Sequence, residues 1–178
     1  MAENENENED EDDDTYIDRP NRRKASSKAT KAIVTVLLLA SAAIMIIIAL
    51  GGWSTLEGAK PVLVAYILLY LLMAFLVTRW NRGVLPLAAA LAIVLLIFAA
   101  VSGPAWFDRD KSGFTDPTLD EDILGLLSLI LVPVQILLIA FAMRGFQQAW
   151  NVEVERSSDE RDERGGGEHR GRSAPAPA

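Results

Sequence analysis

Ser128, Pro133 and Gln135 are the residues inside apolar sequence whose chemistry stands out. A proline in a helix removes one N–H donor and kinks the helix. The Gln135 amide offers two donors and an acceptor, and each needs a partner in a low-dielectric medium. Hydrogen bonds between membrane helices are worth about 0.6–2 kcal/mol. These residues therefore predict either packing contacts between helices, which we favour, or the lining of a pore or pocket. Tyr66 and Tyr70 are candidate hydrogen-bond partners of Gln135, or they reach towards the outer membrane boundary.

A second string, at residues 108–116, resembles the first half of an EF-hand calcium loop. The oxygen ligands at loop positions 1, 3, 5 and 9 would be Asp108, Asp110, Ser112 and Asp116. Position 12 is normally a bidentate glutamate and is Leu119 here, so the expected dissociation constant is roughly 10⁻⁴–10⁻³ M. The alternative, which we favour, is a solvated turn, because Asp, Ser and Gly are common turn residues.

A cluster of basic residues precedes the first apolar run. Its members are Arg19, Arg22, Arg23, Lys24, Lys28 and Lys31. Basic side chains beside a membrane gain about 1 kcal/mol each from an anionic leaflet, so we expect them to contact anionic lipids. The cluster is short and has no interleaved aromatic residues, which argues against a nucleic-acid partner.

The composition argues against several classes of function. The chain has no cysteine, so disulfides, thiol chemistry and cysteine-ligated metals are excluded. The single histidine, His169, lies near the C-terminus, and no nucleophile–histidine–acid set accompanies it. No charged residue lies within the apolar runs, which argues against proton-coupled transport. We therefore expect neither an enzyme nor a resident cofactor, apart from weakly bound calcium.

Four uncharged apolar runs carry the intramembrane residues named above. The runs are residues 32–50, 61–77, 84–101 and 123–143. A bilayer core about 30 Å thick requires roughly 17–25 helical residues. The first three runs are joined by short links, which favour antiparallel neighbours. The sequence thus predicts an all-α polytopic membrane protein with four transmembrane helices in an up-down-up-down bundle.

All four tryptophans follow shortly after the ends of these runs. They are Trp53, Trp80, Trp106 and Trp150. Tryptophan favours the membrane–water boundary, where its ring is buried and its N–H remains hydrated. We expect these four residues to be interfacial anchors.

Charge distribution predicts the orientation and the tails. The basic cluster lies before the first run, whereas residues 102–122 carry six acids and two bases. The positive-inside rule then places both termini in the cytoplasm of a cell membrane protein. Residues 1–31 are predicted to be a disordered tail, first acidic and then basic, and residues 144–178 an interfacial segment with a disordered end. Residues 152–155 alternate like a strand but have no evident partner.

The segment RGFQQAWNVEVE follows the proline-containing last run. It resembles the C-terminal end of small, uncharacterised four-span membrane proteins of actinobacteria. The resemblance implies a bacterial membrane protein with this layout and implies no activity.

Three functional hypotheses remain open from the sequence. We favour a structural or accessory protein of the cytoplasmic membrane, acting in a larger membrane-protein complex or as a homo-oligomer. The alternative is a small oligomeric channel or uncoupled transporter lined by Gln135, Ser128 and the tyrosines. A further alternative is an extracytoplasmic module that responds to calcium.

Overall fold

The computed structural model describes residues 15–18, 21, 24–56, 58–109, 116–150 and 152–157. Four long helices dominate these residues: α1 (Ala25–Gly51), α2 (Lys60–Thr78), α3 (Val84–Phe107) and α4 (Glu121–Gln147). At 1.5 Å per residue they are about 28–40 Å long. All four are long and apolar enough to cross a membrane, which confirms the predicted fold class of four membrane-spanning helices.

The helices extend beyond the apolar runs that predict them. The first begins at residue 25 rather than 32, and the third ends at residue 107 rather than 101. Backbone hydrogen bonding continues into polar sequence, so an apolar run marks only part of its helix. The start of α4 is capped by Asp120, whose Oδ1 accepts a hydrogen bond from the Asp122 N–H at 2.9 Å. Acidic residues there also interact favourably with the helix dipole.

The helices do not pack equally against one another. The most extensive contact joins α3 to α4, while α1 packs against both α2 and α4, and α2 makes few contacts with α3. Buried residues on α4 recur every three or four positions, as in other helix-packing seams: Leu124, Ser128, Leu131, Gln135, Leu138 and Ala142. The buried residues of α2 are confined to its second half, from Tyr70 to Val77. The first half of α2 is therefore loosely packed.

Contacts at the helix ends show the relative directions. The Lys31 Nζ donates to the Thr78 carbonyl at 2.9 Å, which puts the start of α1 beside the end of α2. The Thr118 N–H donates to the Gly51 carbonyl at 2.8 Å, which puts the end of α1 beside the residues that lead into α4. Helix α1 therefore runs antiparallel to both of these neighbours.

The outer surface of the helices is apolar. Leu50, Val101 and Val36 are 70%, 69% and 63% exposed, and many other large aliphatic side chains are similarly uncovered. Such a continuous apolar surface exceeds what soluble monomers expose, and hydrocarbon lipid covers it favourably. Together with the four candidate membrane-spanning helices, it makes the chain a multi-pass membrane protein.

Two short strands belong to a compact unit of their own. Strand β1 (Thr15–Asp18) pairs antiparallel with β2 (Val154–Ser157), and Thr15 lies opposite Ser157. The expectation that the strand-like segment near residue 154 lacks a partner is therefore wrong, because its partner lies near the opposite end of the chain. Residues 15–18 and 25–31 fall in the tail for which disorder is predicted, but they form β1 and the first turns of α1. Residues 1–14, 19–20, 22–23 and 158–178, for which disorder is also predicted, lie outside the described residues.

Candidate functional site: a buried polar network and an adjoining cavity

A chain of hydrogen bonds connects three helices inside the bundle. The Tyr70 hydroxyl on α2 donates to Gln135 Oε1 on α4 at 2.8 Å. Gln135 Nε2 in turn donates to the Ser41 hydroxyl on α1 at 2.9 Å. Ser41 then donates to the Leu37 carbonyl of its own helix at 2.8 Å. The side chains of Tyr70, Gln135 and Ser41 are all 0% exposed, so we call these three residues the buried polar network.

Both ends of the Gln135 amide form hydrogen bonds with other protein side chains. Its oxygen accepts one hydrogen bond and its nitrogen donates another, and both partners come from other helices. Interhelical contacts of this kind each contribute about 0.6–2 kcal/mol. Tyr70 was one of two candidate partners from the sequence. Ser41 was not identified, and its only signal was a hydroxyl in the middle of an otherwise apolar run.

The other predicted intramembrane residues do not join the network. The Ser128 hydroxyl donates to the Leu124 carbonyl, one turn earlier in α4, at 2.8 Å. Pro133 lies inside α4, two residues before Gln135. Ser128 and Gln135 therefore have no hydrogen-bond partner in common, although their seven-residue spacing puts them on a similar face of the helix.

Ser128 instead lines a cavity of about 390 Å³. All four helices and the link between α1 and α2 contribute to its walls: Met45, Ile48, Leu56, Gly58, Ala59, Val62, Leu63, Tyr66, Leu95, Phe98, Ala99, Ser102, Trp106, Ser128 and Leu131. The Tyr66 and Tyr70 ring centroids are 6.2 Å apart, so the cavity adjoins the buried polar network. Among the residues that the structure describes, the Tyr66 hydroxyl has no hydrogen-bond partner.

The tryptophans differ in their surroundings. Trp53 is 47% exposed, as an interfacial anchor requires, whereas Trp106 is 5% and Trp150 0% exposed. The rings of Trp80 and Trp150 pack edge to face with centroids 5.4 Å apart. Trp106 and Trp150 thus differ from the anchor prediction, because rings that protein atoms cover do not contact lipid.

Basic residues at the end of the bundle near Trp80 contact protein groups. The Lys31 Nζ lies 4.1 Å from the centroid of the Trp80 ring, and Arg82 Nε donates to the Phe146 carbonyl at 2.6 Å. Of the predicted lipid-contacting cluster, Lys24 and Lys28 are exposed. Arg19, Arg22 and Arg23 lie outside the described residues.

The predicted calcium string is only partly described. Asp108 follows the last residue of α3, and the Asp116 carbonyl accepts a hydrogen bond from Ser54 Oγ at 3.3 Å. Asp110 and Ser112 lie outside the described residues. Within the described part of the chain, no three His, Cys, Asp or Glu side chains are grouped to hold a metal ion. Calcium binding stays a prediction.

In comparisons of the chain with known proteins, no protein-family model, curated protein or solved structure matches it. The function proposed below therefore depends on the residues of the bundle and their contacts.

Proposed function

We propose that the chain is a structural or accessory protein of the cytoplasmic membrane, with both termini in the cytoplasm and no catalytic activity of its own. The buried polar network carries this proposal. Gln135 is the most polar side chain within the four apolar runs; its amide bonds to Tyr70 and Ser41, and it is 0% exposed. Its position is that of a residue that holds helices together.

The same contacts count against the channel hypothesis. A side chain that lines a water-filled path keeps donors and acceptors available for the permeating species. Both ends of the Gln135 amide contact other helices instead. Ser128, the second predicted lining residue, bonds to the Leu124 carbonyl and faces a mainly apolar cavity. Because these groups do not share one polar path, we favour the structural role.

Purification from native membranes in mild detergent tests the proposal. We expect a larger membrane protein to co-purify in constant stoichiometry, and the native mass gives the composition of the complex. A homo-oligomer that stays impermeable after reconstitution into liposomes would also agree with a structural role. A homo-oligomer that conducts ions or small solutes would contradict the proposal and favour the channel.

A further inference from the structure

The cavity lined by Ser128 and Tyr66 has walls that include exposed residues of α2 and α3. Helix α2 buries no residue before Tyr70 and makes few contacts with α3, so these two helices pack loosely against each other. Val62 on α2 and Phe98 on α3 line the cavity and are 50% and 55% exposed. These two side chains therefore connect the wall of the cavity with the apolar outer surface of the helices, which lipid covers in a membrane.

The interior of the cavity is suited to hydrocarbon. Met45, Leu95 and Leu131 belong to its walls and are 0%, 6% and 3% exposed. Its volume of about 390 Å³ lies in the range of ligand pockets, roughly 300–1,000 Å³. Apolar cavities of about 150 Å³ already stay dry and take up apolar molecules. An empty space of this size would also forfeit the dispersion contacts of its lining.

We propose that this cavity binds the hydrocarbon chain of a membrane glycerolipid, which enters sideways between α2 and α3. Tyr66 lines the cavity, and its hydroxyl has no hydrogen-bond partner within the described residues. It donates a hydrogen bond to the ester carbonyl of the bound lipid. This inference goes beyond the proposed function, since the buried polar network and any protein partner are independent of lipid in the cavity.

Photo-crosslinking in liposomes tests the site. The probe is a phosphatidylglycerol that carries a diazirine in one acyl chain, and labelled residues are mapped by mass spectrometry. We expect labelling of Leu95 and Leu131, which outside lipid does not reach because they are 6% and 3% exposed. Leu138 is the matched control, because it is 0% exposed and does not line the cavity. Labelling of exposed Val101 but of neither Leu95 nor Leu131 would overturn the proposal.

Two variants test whether Leu95 and Leu131 are labelled by lipid inside the cavity. Ser102→Phe adds a ring to a half-buried lining residue and is expected to abolish labelling at Leu95 and Leu131. Ala100→Phe adds the same ring to an exposed position of α3 and is expected to leave this labelling intact. Unchanged labelling at Leu95 in a folded Ser102→Phe protein would contradict the assignment. If Ser102→Phe fails to fold, the comparison of Leu95 with Leu138 in the parent protein decides.

The hydroxyl of Tyr66 has a separate test. Tyr66→Phe keeps the ring and removes the proposed donor, so glycerolipid retained in native mass spectra is expected to fall severalfold. An ether-linked analogue lacks the ester carbonyl, so its retention should be the same in both proteins. Equal loss of the ester-linked and ether-linked lipids, or no loss of either, would show that the Tyr66 hydroxyl does not bind the ester carbonyl.

Discussion

Within the bundle, the environment of each polar side chain decides what that side chain contributes. Burying an amide or hydroxyl without a partner costs roughly 1–3 kcal/mol in proteins, whereas a partnered group avoids this cost. Gln135 meets this requirement through Tyr70 and Ser41, although the three residues come from different helices. Thr35 differs, because its Oγ1 is buried and has no hydrogen-bond partner in the part of the chain that the structure describes. The two cases allow the value of a hydrogen bond in this bundle to be measured.

Tyr70→Phe removes the donor to Gln135 Oε1 and leaves a buried acceptor unsatisfied. We expect the free energy of unfolding in micelles to fall by about 1 kcal/mol. Thr35→Val is the control, because it removes a buried hydroxyl that has no hydrogen-bond partner among the described residues, so its stability should equal or exceed that of the parent, by up to about 1–3 kcal/mol. Equal stability of the Tyr70→Phe variant and the parent protein would show that this hydrogen bond makes no net contribution to the free energy of unfolding.

Among the described residues, two other than glycine have left-handed backbones, and they lie at the same end of the bundle. Trp80 has φ 62° and Ala149 has φ 48°. The Trp80 N–H donates to the Val77 carbonyl at 2.9 Å, and the Asn81 N–H donates to the Leu76 carbonyl at 3.1 Å. This is the Schellman arrangement, in which glycine usually occupies the position of Trp80. The Trp80 ring packs against Trp150, and this contact offsets the backbone strain.

Ala149→Gly should stabilise the protein. The left-handed conformation destabilises a residue with a Cβ by about 1–2 kcal/mol, and glycine avoids this strain. Against this gain, replacing alanine by glycine lowers stability by about 0.4–1 kcal/mol, because the unfolded chain becomes more flexible. We expect a net gain of roughly 0.5–1 kcal/mol in thermal or denaturant unfolding. Ala142→Gly, at a buried helical position, should lower stability by about 1 kcal/mol or more. A loss of stability in Ala149→Gly would show that the strain is not relieved there.

At the scale of the elements, small residues set the distance between α3 and α4. A Cβ on Gly103 would lie 2.7 Å from Leu129 Cγ. A Cβ on Gly125 would lie 2.9 Å from the Phe107 ring and 3.1 Å from the Gly103 carbonyl oxygen. Such contacts let two helix backbones approach closely, which suits membrane helices because their association depends on packing. The interface is accordingly the most extensive in the bundle.

Gly125→Val should force α3 and α4 apart. We expect a loss of about 1–3 kcal/mol, because the added methyl groups overpack the Phe107 ring and the Gly103 backbone. Ala100→Val adds bulk to an exposed position of α3 and should change stability by no more than about 0.5 kcal/mol. Equal effects of the two substitutions on unfolding in micelles would contradict this account of the interface.

For the whole molecule, the sequence predicts the number and approximate position of the helices, because an uncharged apolar run of sufficient length has few other stable structures in a membrane. It does not predict how each helix is rotated. The sequence therefore leaves open whether Tyr66 and Tyr70 contact Gln135 or reach the outer membrane boundary, and it does not predict the burial of Trp106 and Trp150.

Contacts between distant parts of the sequence were also missed. Residues 152–155 alternate and overlap β2, but the partner strand β1 lies more than a hundred residues earlier, and alternation does not identify a partner. The cavity likewise depends on how far α2 lies from α3, which periodicity does not encode.

The orientation of the molecule in the membrane has its own test. The chain has no cysteine, so single cysteines report the side of the membrane on which they lie. A membrane-impermeant maleimide should label Ser54→Cys, in the link between α1 and α2, in intact cells. Asn81→Cys, in the link between α2 and α3, should react only after the cells are opened. Both residues are exposed in the structure, and the reverse labelling pattern would invert the proposed topology.

The most direct test of the central claim, that the intramembrane polar residues hold the bundle together, measures stability and flux in the same Gln135→Leu protein. The change removes both interhelical hydrogen bonds of Gln135. We predict a loss of about 1–3 kcal/mol in unfolding in micelles, a weaker oligomer or complex, and no flux through liposomes before or after the change. Measurable flux in the parent protein that disappears in a Gln135→Leu protein of unchanged stability and assembly would contradict the account and make Gln135 part of a permeation path.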